Sequence, residues 1–434
     1  MKRNVGLVLY YSRENKYSFN ALLGAIETRR NFDNLKIYFI YDAEELVLRL
    51  RDIIEQHEMV ILGISLMTTQ LWDIVYLMRK LRARYKDKIL YLAGGPHPSG
   101  DPCGTLKIGF DLVVLSEGEE TILELLEKID NNEDYKTVEG IAFKDGDGKC
   151  HVKIRRSRIV LDDYPPFAVK HNKFGPIEIT RGCPFGCYFC QTTRIFGKLQ
   201  RHRSIENICR YVKILMSRKL KDIRFISPDA LSYGSQDGKS LCPTALKELL
   251  TAVRKIINSA GGRIFIGTFP SEVRPEHVTE ETISLLSQYA DNDNLVIGAQ
   301  SGSDRILKLS HRGHTVEDVY KAVRLALKNN FKANVDFIFG LPGETQEDVM
   351  LTVKVMRDLA KMGARIHAHT FIPLPQTPLM MSPPGKIDDC IKEFIKQHVS
   401  TGVIYGNWKE QEAAAKKIAA YFSARKVHWK KTNM

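Results

Sequence analysis

Cys183, Cys187 and Cys190 lie within eight residues of one another, in the segment Arg181-Gly182-Cys183-Pro184-Phe185-Gly186-Cys187-Tyr188-Phe189-Cys190. A loop that must aim three sulfurs at one point has little freedom left, so the elements on either side must hold it. The spacing C-x3-C-x2-C supplies three thiolates and no fourth nearby. A four-iron, four-sulfur cluster held this way has one iron without a protein ligand, open to a small molecule. Ferredoxin-type clusters use four cysteines. Zinc sites are usually built from two separated pairs, and here His171 or His202 would have to complete the tetrahedron. Buried structural cysteines are the remaining reading. The spacing favours the open cluster. A long, lysine-rich chain without a secretory signal also predicts no disulfide.

The flanks say where such a loop sits. Residues 176–180 alternate apolar and polar as a strand does. Ile205, Ile208, Val212 and Leu215 mark a helix over about 204–219, with Ser204 as N-cap. A strand, a loop bearing chemistry and a helix form the repeating unit of parallel barrels, which place their sites at the carboxyl ends of strands.

These residues resemble the motif of the radical S-adenosylmethionine (SAM) enzymes, and further stretches resemble that superfamily in the same order. They are Ile223–Asp229, Arg263–Thr268 followed by Val273-Arg274-Pro275, Leu295–Ser303, Asn334–Thr345 and Ile366–Phe371. The resemblance implies an α/β architecture with a partial (β/α)6 barrel over 171–380. It implies the cluster on Cys183, Cys187 and Cys190, and SAM beside Phe189, Asp229, Gln300 and Ser301. Two departures bear on those contacts. Gln300-Ser301-Gly302 stands where relatives often carry a glutamate, and Pro375-Gln376-Thr377-Pro378 where they often carry Pro-Gly-Thr-Pro. Thr345 with Asp348, and Thr315 with Asp318, have capping-box spacing and are expected to start helices. Gly340 and Gly343 permit a tight turn, and no lysine follows them as a phosphate loop would need.

The first third has another rhythm. Apolar runs at 5–10, 37–41, 60–65, 89–95 and 112–115 alternate with helical patterns, which predicts a doubly wound, Rossmann-like parallel sheet covered on both sides. Ligands of such sheets bind at the carboxyl ends of the strands. The tails there resemble the cobalamin-binding domain that precedes the barrel in one class of radical SAM enzyme. The resemblance implies cobalamin contacts from Tyr11, Ser65, Met67, Thr68, Thr69, Gly94, Gly95, His97, Ser116, Glu117 and Gly118. The usual Asp-x-His-x-x-Gly after the first strand is replaced by Tyr11-Ser12-Arg13-Glu14-Asn15-Lys16, so no histidine from that loop ligates cobalt. Domain limits are read as 1–135 (cobalamin-binding), 136–170 (an Asp-Gly hairpin and a Pro-rich linker), 171–380 (barrel) and 381–434 (a helical C-terminal segment).

Methylthiotransferases, which resemble the same barrel, need three cysteines ahead of it for a second cluster. Only Cys103 and Cys150 are present there. No apolar run reaches membrane-spanning length, and a cytoplasmic protein is expected. The net charge of +13 is spread along the chain. The basic Arg425–Lys431 tail is too short to argue for nucleic acid.

The resemblance as a whole implies a cobalamin-dependent radical SAM methyltransferase. Its cofactors are a [4Fe–4S] cluster, SAM and cobalamin, with an external one-electron donor. The methyl group would pass from SAM through cobalamin to an unactivated sp3 carbon. An archaeal-type branch, to which residues 94–102 are most similar, includes enzymes that methylate the α-carbon of a glutamine in methyl-coenzyme M reductase, which implies a peptide or protein substrate. Two other functions stay open: a cobalamin-dependent rearrangement or cyclisation of a small molecule, and a non-catalytic cobalamin or iron–sulfur sensor. No general base can be named. Tyr233, His367 and His369 lie where a substrate would bind, and core or surface roles are open to each.

Overall fold

The five N-terminal apolar runs become parallel strands β1 (Val5–Tyr10), β2 (Lys36–Ile40), β3 (Met59–Ser65), β4 (Ile89–Gly94) and β5 (Leu112–Val114). The computed structural model describes residues 3–155, 157–258 and 261–424. The chain separates into two units between Pro176 and Ile177. In the first unit the strand order is β2-β1-β3-β4-β5, and helices 16–26, 43–56, 71–85 and 119–130 connect the strands. Leu7, Leu9, Ile61 and Leu92 of the sheet bury against Leu23, Leu123 and Leu126 of two of those helices. Continuous apolar strands read this way because both faces of the sheet are covered.

The predicted hairpin forms as β6 (Ile141–Lys144) and β7 (Cys150–Lys153), but it is more than a linker. It adds antiparallel to β5 and completes a seven-stranded sheet. That addition overturns the expectation of no disulfide. The hairpin brings Cys150 to Cys103, at the start of helix Pro102–Ile108, and the two are bonded. Forty-seven residues of separation hide this pairing from any local reading.

In the second unit the six expected barrel strands are β8 (Ile177–Glu178), β11 (Asp222–Ile226), β12 (Arg263–Phe265), β13 (Asn294–Gln300), β14 (Lys332–Phe339) and β15 (Arg365–Thr370). A short ribbon of β9 (Thr180–Arg181) and β10 (Arg201–His202) brackets the cysteine loop. The barrel strands form two sheets, β12-β11-β8 and β13-β14-β15, the second of them extended by β16 (Ile404–Tyr405). Between them the Val273–Ile297 bridge and the Val296 N–H bond to Gly267 O (2.9 Å) close the seam. Ser204, Thr315 and Thr345 cap their helices as expected, the last two in capping boxes with Asp318 and Asp348.

The C-terminal segment differs from the all-helical expectation. Helices Asp389–His398 and Trp408–Ala424 flank β16 (Ile404–Tyr405), which extends the sheet beside β15 in parallel. Two residues carry no detectable strand period, so only pairing reveals it. Part of this segment, including the basic tail Arg425–Lys431, lies outside the described residues. Among the described residues no helix is long and apolar enough to cross a membrane.

Candidate functional site

The cysteine loop is pinned from several sides. Cys183 N–H bonds Gly197 O (3.0 Å), Thr193 Oγ1 donates to Cys183 O (2.8 Å), and Tyr188 N–H bonds Ser310 O (3.0 Å). His311 Nδ1 contacts Phe185 O (2.7 Å) while its ring stacks on Tyr188 with centroids 5.2 Å apart. Cys187 is buried, and Cys183 and Cys190 keep partial exposure. Desolvation pushes the Cys183 thiol up and the Cys190 thiol to about 11, although Thr192 offers Cys190 Sγ its N–H at 3.4 Å. Thiols this reluctant to ionise become thiolates when a metal takes the proton's place.

Three facts fit these sulfurs to a cluster rather than to one ion. Among the described residues only Asp336, His367 and His369 bring three ligand atoms within 4.8 Å of one another; the sulfurs do not, as a zinc tetrahedron would require. His171 is engaged with Glu27 (2.8 Å) in the first unit, and His202 sits between Thr180 Oγ1 (2.9 Å) and Ser235 O (2.8 Å), so neither completes a zinc site. Two guanidinium groups lie against the loop. Arg312 Nη1 lies 3.6 Å from Cys187 Sγ, and the Arg274 guanidinium sits 3.4 Å over the Phe185 ring. Guanidinium has no lone pair for iron, so neither residue could ligate a cluster held by these cysteines, and both would offset its charge.

The expected SAM-side residues divide. Phe189 packs against Ile306, Leu341 and Phe371. Gln300 ends β13 with φ +73° at a bulge in the β13–β14 register, and Ser301 Oγ accepts from Ser303 N–H (3.2 Å). Asp229 is committed within the protein: it accepts from Arg274 N–H (3.2 Å) and pairs with His277 Nδ1, whose Nε2 reaches Lys239 O (2.9 Å). Tyr233 is likewise structural, since its hydroxyl donates to Arg203 O (2.8 Å).

Sequence reasoning missed Arg312, Asp336 and Glu272. A Cβ added to Gly298 would meet Arg312 Nη2 at 2.6 Å, Gln300 Nε2 at 2.9 Å and Glu272 Oε2 at 3.1 Å, so the bare backbone there lets three polar side chains converge over one sheet face. Asp336 lies opposite Gly298 in register, on the same face. Loss of water contact, reinforced by Asp336, pushes the Glu272 carboxyl up to about 7. The available signal was Asp336 itself, an acid between Val335 and Phe337 in an apolar strand.

In the first unit, the ends of β3, β4 and β5 gather most of the expected cobalamin residues. A Cβ on Gly94 would meet nothing within 4 Å, whereas one on Gly95 (φ +97°) would strike Ser65 Oγ at 2.8 Å. Gly94 therefore fronts open space at a strand end, and Gly95 lets the chain turn away beneath it. This is a cradle that fits a flat heterocyclic tail. His97 is fully buried, its Nδ1 3.2 Å from Thr68 Oγ1. Ser99 Oγ accepts from Ser116 N–H (2.9 Å) and donates to Gly95 O (2.8 Å). Met67 and Thr69 are exposed. Glu117 accepts from Ile159 N–H (3.1 Å), and Gly118 packs its backbone close to Leu22, as an N-cap. Tyr11 donates to Asn20 Oδ1 (2.7 Å) and, with Phe39 and Tyr41, surrounds the Lys173 ammonium.

Comparison with known proteins agrees with both halves. The B12 binding domain family matches residues 30–126, and the radical SAM superfamily matches residues 177–356. An uncharacterised methyltransferase of Pyrococcus horikoshii is 27% identical over 321 residues, covering 71% of this chain and 66% of that protein, so the chain spans just under two thirds of that relative. Among solved structures, the radical SAM methyltransferase TsrM of Kitasatospora setae, with cobalamin and a [4Fe–4S] cluster bound, superposes with a TM-score of 0.69 at 17% identity over 88% of this chain and 78% of its own. The cobalamin-dependent SAM radical enzyme OxsB gives 0.63 at 15% identity over 82% and 52%. In this chain a B12-binding domain thus precedes a radical SAM domain, and it has the fold of the cobalamin-dependent radical SAM enzymes.

Proposed function

We propose that the protein is a cobalamin-dependent radical SAM methyltransferase that methylates an unactivated carbon. The observation that carries this reading is a three-cysteine loop flanked by two guanidinium groups that cannot ligate iron, in a chain that also has a B12-binding domain. When bound, the cluster supplies one-electron cleavage of SAM and cobalamin carries the methyl group.

The protein's part is to hold and orient. Cys183, Cys187 and Cys190 are the cluster ligands. Arg312 offsets charge at Cys187, and its buried Nε, which has no hydrogen-bond partner among the described residues, can hold an anionic group. Phe189, Gln300 and Ser301 serve SAM. Asp229 acts one step back, fixing Arg274 and His277. In the first unit Gly94 admits the cobalamin tail, Ser65, Thr68 and Thr69 meet its polar rim, and His97 orients Thr68. Met67, exposed just beyond the end of β3, would be free to meet the corrin. For the substrate, the specific candidate is a glutamine α-carbon in methyl-coenzyme M reductase. The test is anaerobic turnover of cofactor-loaded protein with SAM, a reductant and peptides from that substrate. Deoxyadenosine together with a product heavier by one methylene supports the proposal. A product of unchanged mass points to rearrangement, and the absence of SAM cleavage sinks the enzymatic reading.

A further inference from the structure

The sheet face that carries Gly298 and Asp336 holds a group with no part in the reading above. Alternate residues of a strand share a face, so His367 and His369 of β15 project together, and Asp336 of β14 stands opposite His367 in register. His367 Nδ1 is 2.9 Å from Asp336 Oδ1 and 3.2 Å from His369 Nε2. Two donors held about 2.0–2.1 Å from one ion are about 3.4 Å apart at the tetrahedral angle and about 2.9 Å apart at a right angle. Both of these separations fall within that range, and all three ligand atoms lie within 4.8 Å of one another.

Gln411 Oε1 accepts from Thr370 N–H (2.8 Å), and its amide nitrogen lies 3.2 Å from His369 Nδ1. A small turn of Gln411 presents Oε1 to a proton on His369 Nδ1, the outer-shell arrangement that usually fixes metal-bound imidazole. His369 Nε2 then offers a lone pair to the space it shares with His367 Nδ1 and the Asp336 carboxylate. The His367 ring is already held flat on Tyr405 of β16, with centroids 4.7 Å apart and planes 10° apart.

We infer that Asp336, His367 and His369 form a binding site for a divalent ion of the zinc or ferrous class, with a position left open to an oxygen donor such as water or a substrate carbonyl. Two imidazoles and one carboxylate are the donor set such ions accept. The inference stands whether or not the protein transfers methyl groups.

The test is anaerobic equilibrium dialysis of the cluster-loaded full chain against zinc chloride, with zinc and iron counted by mass spectrometry. A zinc-edge anomalous difference map from soaked crystals accompanies it. The expected result is one zinc per chain at unchanged iron content, with an anomalous peak among the three side chains. His367→Ala and His369→Ala should each weaken uptake about tenfold or more, and Gln411→Glu should tighten it. Equal zinc uptake by wild type and both alanine variants, or a map with no peak at this place, overturns the inference. If a variant does not fold, as judged by its iron and cobalamin content, the wild-type map decides alone.

Discussion

Arg312 joins the cysteine loop to the barrel sheet: Nη1 lies 3.6 Å from Cys187 Sγ, and Nη2 donates to Gly298 O at 2.8 Å. A buried cation beside a cluster sulfur favours the more negative, reduced cluster. Arg312→Gln should therefore move the cluster midpoint to more negative potential and slow SAM cleavage, while Arg312→Lys should retain most of the wild-type value. A redox titration followed by electron paramagnetic resonance checks this. An unchanged midpoint in Arg312→Gln would show that the contact is only structural.

Replacing any one of Cys183, Cys187 or Cys190 by alanine should remove the iron and abolish SAM cleavage. Cobalamin uptake by the first unit should stay at the wild-type level, because those side chains all lie in the second unit. Iron and cobalamin analyses on the same preparation separate the two effects.

Gly94 and Gly95 are adjacent but should respond differently. Gly94→Val fills open space, so it should leave the melting temperature unchanged and weaken cobalamin binding. Gly95→Ala places a Cβ 2.8 Å from Ser65 Oγ at a φ of +97°, and should cost about 1–3 kcal/mol of stability. Calorimetry and cobalamin titration of both variants test the pair.

His314 is buried, donates through Nε2 to Ala299 O (3.1 Å), and is held down to about 2 by burial and then by Arg312 and Arg274. The unfolded chain binds this proton below about pH 6.5 and the folded chain does not, so stability falls as pH drops through that value. At pH 5 the loss from this one group is about 2 kcal/mol. His314→Gln, whose amide can still donate to Ala299 O, should reduce the difference between urea midpoints at pH 7 and pH 5. Parallel wild-type and variant curves would count against it.

Cys150→Ser opens the Cys103–Cys150 bridge. It should lower the stability of the first unit by about 2–4 kcal/mol under oxidising conditions and have little effect in excess reductant. Thermal unfolding in both buffers measures the contrast.

Much of the architecture was legible because it rests on local periodicity. The five apolar runs of the first unit and the strand–loop–helix around Cys183 needed only runs, alternation and caps. Ser204, Thr315 and Thr345 start their helices for reasons contained within four residues. What escaped were contacts between residues far apart in the chain. Asp229, expected beside SAM, also bonds Arg274 and His277 more than forty residues on. Arg312 lies 125 residues from Cys187 and carries no motif of its own.

The amino-acid sequence by itself determined the cysteine spacing, the order of strands and helices and the glycines at strand ends. These depend on chemistry and period within a few residues. Only the tertiary structure decided that the hairpin joins the first sheet and bonds Cys150 to Cys103, that β16 extends the second, and that Asp336, His367 and His369 meet on one face. Those outcomes follow from the pairing register of strands distant in the chain, which no local pattern encodes.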